Sequence, residues 1–261
     1  MSNVYSYEEI TDGEIRITGY EGEEKTAEVP VLLDGRPVTQ IGSYAFSGTP
    51  IRSLSLPPGI VRMGRYALYN CADLEELSFY GGLKDIGAGA FTGCHHIRII
   101  RLTLSEDETS ALRDVLMEVS EELEVEYRHG DEKAVLLFPE FYEEGVENTP
   151  ARIIEHHTHG SGMFYRNCFE NRRLKFHEYD SRFPYAIGQE SEALLLRLVT
   201  ARLRYPYMLA PSHRETYLSY LDDHFSDALD LFTRVSDQSA IGFLMSLHAG
   251  QKRSARPDFD L

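Results

Sequence analysis

IGSYAFSGTPIRSLSLPPGIVRMGRYALYNCADLEELSFYGGLKDIGAGAFTGCHHIRIIRL, residues 41–102, states one pattern three times. Each copy opens with an apolar residue and glycine (Ile41-Gly42, Met63-Gly64, Ile86-Gly87). A small-apolar pair follows (Ala45-Phe46, Ala67-Leu68, Ala90-Phe91), then a turn at Gly48, Asn70-Cys71 or Gly93-Cys94. Each closes on a strand reading apolar-x-x-apolar-x-apolar: Ile51, Leu54, Leu56; Leu74, Leu77, Phe79; Ile97, Ile100, Leu102. A unit of about 22 residues cannot bury its apolar side alone, whereas stacked units share one continuous core. The expected fold class is therefore α/β to α+β. A short leucine-rich-repeat solenoid with a parallel β-sheet face comes first, followed by an α+β segment and a C-terminal helical array.

The wording of the three copies resembles the bacterial BspA type of leucine-rich repeat. Upstream, GEIRITGYEGEEKTAEVPVLLDGRPVTQIG resembles that family's entry segment, with Ile15 and Ile17 in one strand and Val29, Val31 and Leu33 in the next. The resemblance covers residues 5–104 and implies a repeat domain over 1–104; residues 105–261 form a second part that resembles no known family. Cys71 and Cys94 occupy the same place in successive copies, which suits small buried thiols. Stacking could bring them within disulfide reach, but a reducing compartment opposes that bond.

Ser105-x-x-Glu108 reads as a capping box opening a helix over 105–122, with Ala111, Leu112, Val115, Leu116 and Val119 on one side, placed to cap the last repeat. Mixed strands are expected over 123–188: LEVEYR and KAVLLF as a hairpin around His129-Gly130-Asp131, then short strands at 151–157 and 162–168. Helices are expected over 191–249: 191–205 stopped by Pro206, then 212–224, 226–235 and 237–249. Ser226 and Ser236 or Asp237 serve as N-caps and Gly250 as the final stop.

In a strand, the alternation that turns Leu54 inward turns its neighbours outward. Ser53, Ser55, Glu76, Ser78, Ile99 and Arg101 then tile the outer face of the parallel sheet, the surface that solenoids use for partners. The formal charge of −16 argues against nucleic acid and anionic membrane as partners. Residues 1–104 hold 9 basic and 13 acidic side chains, a charge of −4; the remaining 17 basic and 29 acidic residues contribute −12. No apolar run is long enough to cross a bilayer, and the polar, acidic start MSNVYSYEEITDGE does not resemble a secretory signal, so a cytoplasmic address is expected.

A second candidate site is the ligand cluster around Glu155-His156-His157-x-His159, joined with Tyr165 and Cys168. His157 and His159 share a strand face and imidazoles bind transition metals, yet three or four converging ligands are needed. Cys168 could act as a nucleophile with a histidine base, although RNCFEN equally describes a buried thiol. Gly160-Ser161-Gly162 lacks the spacing of a nucleophile elbow, and no phosphate loop, dinucleotide fingerprint, HExxH or EF-hand motif occurs. The expected function is a non-enzymatic protein-interaction module without cofactor. The alternatives are an enzyme, small-ligand or metal-binding protein with a site in 139–188 and the repeats as docking arm, and, by family analogy alone, an adhesin or carbohydrate binder.

Overall fold

The structure, a computed structural model, describes residues 5–148 and 153–254, with side chains described outside 146–148, 153–156 and 251–254. The chain opens with the antiparallel pair β1 (Tyr5–Glu9) and β2 (Ile15–Tyr20), then β3 (Thr26–Glu28), β4 (Leu32–Leu33) and β5 (Arg36–Ile41). From there each repeat lays one strand in each of two sheets: β6 (Ser53–Ser55), β7 (Arg62–Met63), β8 (Glu76–Tyr80), β9 (Asp85–Ile86) and β10 (Ile99–Leu104). One sheet runs β1-β2-β5-β7-β9, with β4 on β5; in the other, β3, β6, β8 and β10 lie parallel, in that order.

The apolar-glycine pair explains how closely the turns stack. A Cβ on Gly42 would lie 2.7 Å from the Ile17 carbonyl oxygen, one on Gly64 2.5 Å from the Ser43 nitrogen, and one on Gly87 2.4 Å from the Arg65 nitrogen. Only glycine lets each turn settle on the backbone of the one before. Two residues on, Tyr44, Tyr66 and Gly89 all take left-handed backbone (φ 60, 55 and 71), a conformation that costs a non-glycine residue about 1 kcal/mol. Backbone rungs then bind turn to turn: Phe46 N–H donates to Ala67 O at 2.8 Å and Leu68 N–H to Ala90 O at 2.9 Å. The nine strand positions read as inward are all buried. Cys71 and Cys94 are buried free thiols, each donating to a carbonyl of the preceding turn, Phe46 O at 2.9 Å and Leu68 O at 3.0 Å.

The entry segment departs from expectation. Val29 and Leu33 are buried, but Val31 is 59% exposed, because β3 ends at Glu28 and the chain turns at Pro30 instead of continuing as a strand. The expected helix over 105–122 is only α1 (Leu112–Glu118). Ser105 and Glu108 do bond reciprocally, Ser105 N–H to Glu108 Oε2 at 2.7 Å and Glu108 N–H to Ser105 O at 3.2 Å, but they close a turn, with Asp107 left-handed at φ 61. The helix starts later, where the Ser110 hydroxyl accepts from Leu112 N–H at 3.3 Å. It caps the solenoid by a specific device: Glu118 accepts the N–H groups of Gly89 and Phe91 at 3.0 and 3.1 Å, replacing the carbonyls that a further turn would supply.

The long sheet does not stop at residue 104. β11 (Leu123–His129) pairs parallel to β10 over its whole length, and the hairpin partner β12 (Glu132–Phe138) follows antiparallel. Next come β13 (Tyr142–Asn148) with β14 (Ile153–His159), α2 (Gly162–Arg166), the two-residue pair β15 (Phe169–Glu170) and β16 (Arg173–Leu174), α3 (Phe176–Ser181) and α4 (Phe183–Ala186). The strand expected at 162–168 is thus a helix, and the expected strand at 151–157 is β14, whose described part begins at Ile153. Gly162 packs against the Pro139 carbonyl where a Cβ would clash, and the helix carries Arg166 inward. That guanidinium is fully buried and donates to five backbone carbonyls, of Leu116, Val119, Glu121, Pro139 and Gly162. It satisfies the open C-terminal end of α1 and ties that end to the chain that follows.

The helical array is α5 (Glu192–Arg204), α6 (Pro211–Asp223), α7 (Phe225–Arg234) and α8 (Gln238–Ser254). Ser191 caps α5 through Leu194 N–H at 3.3 Å, and Asp237 accepts from Ala240 N–H at 2.9 Å. Ser226 lies inside α7 and Gly250 inside α8, so neither ends a helix; a Cβ on Gly250 would meet nothing, which removes any steric reason for a stop there. Arg202 of α5 holds Asp180 of α3 with two bonds of 2.8 Å, and Tyr217 of α6 donates to the same carboxylate at 2.9 Å, all three fully buried or nearly so.

Candidate functional site: the outer sheet face and its cleft

Strand register arranges the outer-facing side chains in two rows. One reads Thr26, Ser53, Glu76, Ile99, Glu124, Leu137, and the other Glu28, Ser55, Ser78, Arg101, Glu126, Val135. The six positions expected from alternation are all half-exposed and adjacent. Arg101 bonds Glu76 at 2.5 Å on one side and Glu126 at 3.3 Å on the other, and Lys133 holds Glu126 at 2.9 Å. This chain of charges crosses four strands and links their outward side chains.

Past β10 the rows run under a roof. α5 packs on β12, and together with α7 and the start of α8 it encloses a cleft of about 640 Å³ whose floor is the outer side of β11 and β12. Val135 and Leu137 below, and Leu231 and Phe232 above, give it apolar walls. Three acids, Glu124, Glu126 and Asp237, line it with three bases, Lys133, Arg197 and Arg204. Most are engaged: Lys133 on Glu126, Arg197 on Glu122 at 2.5 Å, Arg204 with the Ser239 hydroxyl and over the Tyr205 ring, Asp237 at the α8 cap. Burial would raise the Glu126 carboxyl, but the hydrogen bond and charge of Lys133 with the charge of Arg101 outweigh it and hold Glu126 below the usual carboxylate range. Glu124 is different. Burial pushes its carboxyl up, the charges of Arg197, Lys133 and Arg101 only partly offset this, and among the described residues no hydrogen bond reaches it. Opposite, Thr200 is 3% exposed and its Oγ1 meets no hydrogen-bond partner among the described residues.

The repeat sequence has its counterpart in a known family. The family model for the BspA type leucine rich repeat region matches residues 34–114, in six copies. Residues 34–114 are a BspA-type leucine-rich repeat region. Among solved structures, a leucine-rich repeat protein from Bacteroides capillosus ATCC 29799 is 25% identical, over 41% of this chain and 87% of that one, with a TM-score of 0.37. A T. pallidum leucine rich repeat protein is 20% identical over 43% and 75%, with a TM-score of 0.28. A leucine rich cell surface protein from Faecalibacterium prausnitzii A2-165 is 18% identical over 50% and 42%, with a TM-score of 0.33. No curated protein matches the chain. The BspA-type region thus accounts for the repeats up to α1 and leaves the roofed part of the face outside it.

The second candidate cluster is divided by burial. His157 is exposed on β14 opposite Glu144, and His159 bonds Glu144 at 3.1 Å and stacks on Tyr142. His156 lies opposite Gly145, and its side chain, like that of Glu155, lies outside the described residues. Tyr165 and Cys168 are fully buried; the Cys168 thiol donates to Phe164 O at 3.2 Å, and burial pushes its pKa up, away from thiolate. Among the described residues, no group of three or more histidine, cysteine or acidic side chains is placed to hold a metal, and no helix is long and apolar enough to cross a membrane. Glu124, Glu126 and Thr200 escaped the sequence reading. The alternation in LEVEYR puts both glutamates on one face, but nothing local says that this strand extends the repeat sheet.

Proposed function

We propose that this chain is a non-enzymatic protein-interaction module that receives its partner on the outer face of the long sheet, centred on Ser53, Ser55, Glu76, Ser78, Ile99 and Arg101. The observation that carries the reading is the continuity of this face: two registered rows of half-exposed side chains, braced by the Glu76-Arg101-Glu126-Lys133 chain and presented on a buried repeat core. A face ordered before binding loses little side-chain entropy when a partner docks. Its composition, hydroxyls and paired charges around the aliphatic Ile99, suits a protein surface better than a phosphate backbone.

The test compares affinity capture by wild type with that by a Ser53→Lys, Ser78→Lys, Ile99→Lys variant, which changes the face without touching the ion chain. Partners held by the wild type should be lost from the variant at an unchanged melting temperature. Recovery of the same partners by both proteins would refute the reading.

A further inference from the structure

The cleft under α5 and α7 has the chemistry of a side-chain receptor. Its walls are apolar where they meet Val135, Leu137, Leu231 and Phe232, which suits an aliphatic stem. Its polar groups are unequally provided for. Glu126 is bonded by Arg101 and Lys133, and the cleft's own arginines are engaged by Glu122 and Ser239. Two groups make no hydrogen bond among the described residues: the Glu124 carboxylate, which Arg197, Lys133 and Arg101 reach only through their charge, and the Thr200 hydroxyl, buried on the facing helix. Both accept hydrogen bonds, and one is an anion withdrawn from solvent, where an opposite charge gains most. The guest that answers both is a cation with several N–H donors at the end of a flexible aliphatic stem.

We infer that this cleft binds an arginine or lysine side chain of a protein partner, the head group on Glu124 and Thr200 and the stem between Leu137 and Leu231. The inference rests on the outer-face reading, because Glu124 continues the row of Glu76 and Ile99 and a chain lying along that row passes the mouth of the cleft. The chain's charge of −16 favours a basic segment as that partner.

The test uses N-acetyl-arginine amide as probe, with N-acetyl-glutamate amide as its anionic counterpart, titrated into the full chain carrying ¹³C-labelled methyl groups. The arginine probe should shift the methyl signals of Val135, Leu137 and Leu231 in a saturable manner, and the glutamate probe should not. Glu124→Gln, close in shape, should weaken binding about tenfold, and Thr200→Val should weaken it as well. Equal shifts from both probes, or arginine binding unchanged in Glu124→Gln, would overturn the proposal, as would the absence of saturable shifts. This readout needs no protein partner, so it separates from the face experiment: loss of capture by the lysine variant with no arginine binding removes the receptor alone, and arginine binding with capture unaffected removes the face reading alone.

Discussion

Removing the charge of Asp180 should cost this protein more than almost any other single-residue change outside the apolar core. Asp180 is 1% exposed, receives two 2.8 Å bonds from the fully buried Arg202, and accepts a third from Tyr217 at 2.9 Å. Three helices, α3, α5 and α6, therefore meet on one carboxylate. Asp180→Asn keeps the shape but leaves the Arg202 guanidinium without a counter-charge and turns an N–H₂ toward one of its donors. Breaking a buried pair from one side costs about 3–5 kcal/mol, because the remaining charge is stranded. At about 2–4 °C per kcal/mol for a chain of this size class, the melting temperature should fall by roughly 6–20 °C. Arg202→Met strands the carboxylate instead and should cost a similar amount, while the double variant strands neither. Differential scanning calorimetry of the four proteins closes the cycle, with an expected coupling of about 2 kcal/mol or more in favour of the double variant. Because water does not reach the pair, 1 M salt, where the screening length is about 3 Å, should leave that coupling in place. Additive single effects, or a coupling that salt abolishes, would refute the picture of a buried ion pair at this junction.

Glu118→Ala should lower stability by about 1–2 kcal/mol, since two repeat N–H groups lose a charged acceptor; urea melts would show it, and a Gln variant should recover part of the loss. Gly64→Ala should cost about 1–3 kcal/mol because its Cβ meets backbone at 2.5 Å, whereas Gly59→Ala, whose Cβ reaches Val38 O only at 3.4 Å, should be far milder in the same melts. The three buried thiols should resist iodoacetamide at neutral pH in the folded chain and react together once it unfolds; a thiol modified rapidly in the folded state would contradict its burial. Glu124→Gln should melt higher than wild type at neutral pH. The folded Glu124 carboxyl sits above its unfolded value, so its ionised form is the disfavoured one: the penalty is absent below the unfolded pKa of about 4 and complete above the folded one. Arg197, Lys133, Arg101 and Glu126 face this group, and all four remain in the variant, so the difference between the two proteins should fade as pH falls through the carboxylate range.

The repeat region was legible because its signals are local and redundant. Glycines, turn residues and a period-two strand recur three times, so that the inward positions and the six outward ones follow from alternation alone. What lay beyond required contacts between distant residues. Ser105 and Glu108 form the bonds of a capping box, yet the left-handed Asp107 makes them a turn, and no count of spacing distinguishes the two. The segment 162–168 was expected as a short strand, but Gly162 packs against the Pro139 carbonyl at a helix start, and four of the five carbonyls that Arg166 finds lie 27 to 50 residues back along the chain. The cleft was invisible for the same reason: Glu124 and Thr200 are 76 positions apart and line one cleft only because the sheet continues past the last repeat.

That continuation sets the direction in which such a protein could lengthen. β11 is the last strand to run with the repeats, and β12 reverses polarity beside it while α5 covers it. A new unit inserted after β11 would find an antiparallel neighbour and a helix in its place, whereas one inserted between β6 and β10 would meet the same glycine, the same left-handed turn and the same rungs as its neighbours. Changes in copy number are therefore confined to the interior of the stack, where each added unit would widen the open face by two outward positions and leave the cleft at its end intact.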